Sequence, residues 1–162
     1  MRPRAGDFVY SRLEIETILR DIELARTLGI AGVVVGALMA NGRVAVAETR
    51  AFVQAAAGLP VTFHRAFDVV ANFSDAIEEL IDIGIHRILT SGGKSTALAG
   101  ADVIARLVEQ ARGRIAIVAG GGIRESNVRE IIARTRVAEV HSRFIGEPDM
   151  QRLVEIARSG MN

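Results

Sequence analysis

The sequence predicts an α/β fold in which strands of a parallel sheet alternate with helices, arranged as a (β/α) barrel or an open doubly wound sheet. Three observations carry this. The apolar content is dominated by Ala, Val, Ile and Leu, with no Trp and one Tyr in 162 residues, the composition of helices packed on a buried parallel sheet. Strand-like runs recur at about 23 to 29 residues, the length of a βα unit. Finally, polar side chains collect at the ends of those runs, where parallel α/β proteins bind ligands.

The strand-like runs begin near Gly32, Val61, His86, Ile115 and Ala138. Before the first lies a helical stripe of Leu13, Ile15, Ile18, Leu19, Ile22 and Ala25. A second stripe, Phe73, Ala76, Ile77, Leu80 and Ile81, opens after Asn72, whose side chain suits an N-cap. Ser126 is the expected cap of a helix carrying Val128, Ile131 and Ile132. Pro148 suits the first turn of the last helix. Gly29 and Gly84 stand where two helices should stop. No linker separates the units, so residues 1–162 are expected to form one domain.

Strand parity favours the barrel. Val61 and Phe63 face one side, Thr62 and His64 the other; Val140 likewise opposes Glu139 and His141. A barrel interior has a use for such polar residues, whereas an open sheet covered on both faces has less.

Composition excludes several function classes. A net charge of +1 with scattered arginines leaves no nucleic-acid footprint. The apolar stretch from Ile30 to Ala40 is too short to span a bilayer. The absence of cysteine removes disulfides and thiolate metal sites and suits a cytoplasmic protein.

The densest candidate site is Val-Thr-Phe-His-Arg-Ala-Phe-Asp at residues 61–68. Here His64 is a candidate general acid/base, with Asp68 orienting it or Arg65. Ser91, Gly92 and Gly93 in one turn, and Gly120, Gly121 and Gly122 in another, are candidate anion-binding backbone. The bland alternative is a pair of tight turns that need positive φ. Arg2 and Arg4 can clamp a phosphate or carboxylate, or be solvated. His64 and His141 offer at most a two-nitrogen metal site, beside four methionines including Met39, Met150 and Met161. His86, at the start of its strand, reads as structural.

These segments resemble the CutC-like copper homeostasis proteins. The matching residues are Arg2-Pro3-Arg4, Gly6-Asp7-Phe8, Thr62 to Asp68, Leu89 to Gly93, Ala119 to Ile123 with Asn127, and Glu139 to Ser142. The resemblance implies a cytoplasmic TIM-type (β/α) barrel tied to copper handling, with copper as the implied cofactor and no established catalysis. It places Arg2, Arg4, His64, Arg65, Asp68, Ser91, Gly120, Gly121, Gly122 and His141 at the barrel mouth. It also implies that the chain is an incomplete barrel of about five βα units, corresponding to strands 4–8 with the end of strand 3. A complete barrel takes about 250 residues. The stretch after His141, through Arg143, Phe144, Ile145 and Gly146, is expected to be short. Three functions follow: a copper-homeostasis protein binding copper or another small ligand, a barrel enzyme acting on a small phosphorylated or carboxylated metabolite, or an inactive fragment. Self-association or a complementing chain is the expected partner.

Overall fold

The computed structural model describes residues 1–143 and 146–160. Phe144, Ile145 and Met161, which entered the sequence reading, lie outside them. The elements alternate as read: α1 (Arg12–Thr27), β1 (Val33–Val35), α2 (Val46–Ala56), β2 (Val61–Phe63), a 3-10 turn (Arg65–Val69), α3 (Phe73–Ile83), β3 (Arg87–Thr90), α4 (Ala101–Ala111), β4 (Ala116–Gly120), α5 (Glu125–Thr135), β5 (Glu139–His141) and α6 (Glu147–Gly160). Among the described residues, strand order follows chain order from β1 to β5. The residues divide into two compact units, Met1–Ile88 and Leu89–Asn162.

In the first unit β1 and β2 run parallel, with Val33 opposite Val61 and Val35 opposite Phe63. Because faces alternate, these four side chains all turn to the helix side and are buried. There the core includes Ile18 and Ile22 of α1, Phe52 of α2, and Ile77 and Leu80 of α3. Each such side chain stabilises the fold by about 2 kcal/mol relative to exposure. Ser11 opens α1 with a capping box: its amide donates to Glu14 Oε2 at 2.7 Å, and the Glu14 amide to its hydroxyl at 3.4 Å. Asn72 caps α3 as expected, accepting from the Ser74 amide at 2.8 Å. Gly84 ends α3 at φ +93°, a conformation costly for other residues. Leu13 departs from expectation. It is 74% exposed because it lies off the arc defined by Ile18, Ile22 and Ala25.

In the second unit β4 and β5 run parallel, with Val118 opposite Glu139 and Gly120 opposite His141. Ile104, Leu107, Ile117, Val128, Ile131 and Leu153 are buried here. Pro148 falls in the first turn of α6, as read. Ser126 does not cap α5. The N-cap is Arg124, whose amide donates to Asn127 Oδ1 at 2.9 Å, so the closing oxygen comes from inside the helix.

Candidate functional site

His64 leaves β2 at its carboxyl end. Its amide continues the ladder by donating to the Val35 carbonyl at 2.8 Å. Its ring then turns back over the next residues, and Nδ1 accepts the Ala66 amide at 3.2 Å, capping the 3-10 turn. A nitrogen that accepts this bond carries no proton, so the neutral ring bears its hydrogen on Nε2. Nε2 is buried and has no partner among the described residues.

The ring fits because residue 36 is glycine. A Cβ on Gly36 would stand 2.5 Å from Nδ1 and 2.6 Å from Cε1 of His64. Phe8 closes another side, its ring centroid 5.0 Å from the imidazole. The N-terminal segment is anchored by the Leu38 amide, which donates to the Phe8 carbonyl at 2.8 Å. Burial pushes the imidazole down to about 4, helped by the positive chain terminus and then by Arg2. Burial is the larger cause, and Arg2 is the arginine that contributes.

The other candidates of this unit divide their work. The Arg65 Nε donates to Asp68 Oδ2 at 2.6 Å, so Asp68 orients Arg65. The Arg2 guanidinium lies over the Phe8 ring, 4.6 Å from its centroid, and donates to the Gly6 carbonyl. Arg4 meets Glu14 at 2.6 Å, Asp7 at 2.7 Å and the Val9 carbonyl at 2.7 Å. Its donors staple the N-terminal segment to the start of α1. His86 accepts the Val61 amide on Nδ1 at 3.2 Å, the structural role expected of it.

The turn residues of the second unit have their own geometry. Thr90 and Ser91 are buried. The Thr90 hydroxyl accepts the Gly92 amide at 2.8 Å, and the Ser91 hydroxyl donates to the Lys94 carbonyl at 2.5 Å. Gly92, Gly93, Gly121 and Gly122 all take positive φ. The Ala97 amide donates to the Gly121 carbonyl at 2.9 Å, tying the loop that follows the first glycine turn to the second. Gly120 differs: a Cβ there would stand 2.5 Å from Cδ1 of Leu89, the mobile end of that side chain. His141 is exposed at the end of β5.

Sequence reasoning missed two participants. Gly36 carries no signal of its own, since its contact depends on the register that sets Val35 beside Phe63. The Ser11 cap was legible as Ser-x-x-Glu before an apolar run.

The described residues gather no copper-ligand cluster. No three His, Cys, Asp or Glu side chains gather as a metal site among the described residues, and the chain has no cysteine. Both His64 and His86 spend Nδ1 on a backbone amide. Cu(I) favours sulfur, and Met39 lies half exposed with no such cluster around it. No helix among the described residues is long and apolar enough to cross a membrane.

A model of the CutC family matches residues 1–146. A family protein CutC from Glaesserella parasuis serovar 5 is 52% identical over 155 residues, covering 96% of this chain and 63% of its own. One from Bacteroides fragilis is 48% identical over 141 residues, covering 87% and 56%. The chain thus spans about three fifths of the length of these curated relatives. The crystal structure of a CutC from Streptococcus agalactiae, which carries a copper-homeostasis name, superposes with a TM-score of 0.83 at 35% identity. It covers 86% of this chain and 69% of that one. A mandelate oxidase variant matches with a TM-score of 0.59 at 20% identity, a likeness of fold alone.

Proposed function

Because the chain belongs to the CutC family, we propose that it serves copper homeostasis without coordinating copper, by holding a small ligand at the Nε2–H of His64. One observation carries this reading: a buried imidazole donor with no acceptor, on a ring whose other nitrogen is already committed. A buried donor left unmade costs about 1–3 kcal/mol, which an acceptor atom of a ligand would recover. Arg2, held beside the same Phe8 that packs on His64, favours an anionic acceptor such as phosphate or carboxylate. In the same reading the turns at Ser91, Gly92 and Gly93 and at Gly120, Gly121 and Gly122 offer backbone to an anion within their own unit.

The Arg65–Asp68 pair supports a second reading, an enzyme acting on a phosphorylated or carboxylated metabolite. An imidazole that titrates at about 4 is a weak general base at neutral pH. Its role there would be to donate from Nε2–H to a developing oxyanion.

Two measurements test the proposal. In competition with a Cu(I) chelator the protein should retain no stoichiometric copper. Phosphate should raise the melting temperature above chloride at matched ionic strength, and His64→Gln should remove that increment. Retention of one Cu(I) per chain, or an unchanged phosphate response in the variant, would overturn it.

A further inference from the structure

A second cavity stands apart from His64 and carries an inference independent of that reading. It lies at the amino-terminal ends of β4 and β5 and holds about 250 Å³. Val108 and Ala111 of α4, Ile115, Ile117 and Val137 form its apolar wall. Arg136 and Glu139 are the charged residues on that wall. The two differ. Glu139 already has an interaction partner, whereas the Arg136 side chain, which is exposed, makes no hydrogen bond or ion pair among the described residues. Nearby arginines are used otherwise: Arg134 reaches Asp102 at 3.0 Å and Glu130 at 3.4 Å, and Arg114 donates to the Gln110 carbonyl at 3.0 Å.

We propose that this cavity binds a small amphipathic carboxylate, its apolar body against Val108, Ile117 and Val137 and its carboxylate on Arg136. The volume corresponds to about eight water molecules, enough for one aromatic ring or a short alkyl chain. A guanidinium presents paired donors that match a carboxylate, so the free cation sets the head group. The apolar wall sets the body.

Backbone geometry supplies a clean test. Arg136 ends α5 in the left-handed region at φ +58°, and Arg112 ends α4 in the same way at φ +48°. Glycine suits both positions, so Arg136→Gly and Arg112→Gly each remove one charge while keeping or raising stability. Arg112 is not on the cavity wall. Methyl-resolved NMR titrations with benzoate, benzyl alcohol and benzylamine in about 0.15 M salt distinguish charge from shape.

Benzoate should bind saturably in the millimolar range and shift the methyls of Val108, Ile117 and Val137. Arg136→Gly should weaken it about tenfold or more, while Arg112→Gly leaves it within about twofold. Benzyl alcohol should bind more weakly than benzoate, and benzylamine not at all. No saturation by benzoate, equal losses in the two glycine variants, or preference for benzylamine would each overturn the assignment.

Discussion

Replacing His64 by Gln should flatten the acid side of the stability curve. The wild-type imidazole titrates near 6.5 when unfolded and at about 4 in the fold, chiefly because it is buried. Between those values the unfolded chain binds a proton that the folded chain refuses, so stability falls as pH drops from 6.5 towards 4. The full difference amounts to roughly 3 kcal/mol, of which roughly 2 kcal/mol should be lost by pH 4.5. Gln retains an oxygen that can accept the Ala66 amide, so the variant should lose about 1 kcal/mol or less at pH 7. Carboxylates held low by their partners, such as Asp7 and Glu14, titrate in both proteins and cancel in the comparison. Urea unfolding of the two proteins at pH 7, 5.5 and 4.5 gives the difference directly. The wild type should start the more stable and lose its advantage as the pH falls. Stability curves that run parallel over this window would refute the buried, neutral imidazole.

Other outcomes follow from neighbouring contacts. Gly36→Ala forces a methyl into the imidazole and should cost about 1–3 kcal/mol, a fall of several degrees in calorimetry; an unchanged melting point would mean the ring does not pack there. Gly100→Ala places Cβ on the Ser91 carbonyl, backbone that cannot swing aside, and should leave little folded protein by circular dichroism. Asn72→Ala removes the oxygen that caps α3 and should cost about 1 kcal/mol in urea unfolding, with Asn72→Asp restoring most of it.

The alternation of strands and helices was legible because its signals are local. The apolar period of α3, the Asn72 cap, Gly84 after α3 and Pro148 at the start of α6 act within a turn or two of the chain. Legibility failed where a local signal had a competitor. Ser126 is a good cap residue, but Asn127 reaches back to the Arg124 amide and starts α5 earlier. Leu13 has the right chemistry for a core and the wrong angle around the helix. At the site, strand parity set Thr62 and His64 on the face opposite Val61 and Phe63; the first two are half-buried and the last two buried. Its clearance against Gly36 was hidden, since 28 positions separate the two and only the β1–β2 register joins them. The employment of Arg4 by Asp7 and Glu14 was hidden for a related reason: a pair of nearby arginines reads the same whether it faces a ligand or its own chain.

One ring is central: His64, kept neutral with its proton on Nε2 and its Nδ1 given to the Ala66 amide. Long-range proton–nitrogen NMR of the imidazole, followed from pH 8 to pH 3.5 with and without one equivalent of Cu(I), reads that state directly. A proton on Nε2 throughout the neutral range, a titration midpoint at about 4 and no change on adding copper are expected. A proton on Nδ1, a midpoint near 6.5, or loss of the Nε2 proton to copper would contradict it.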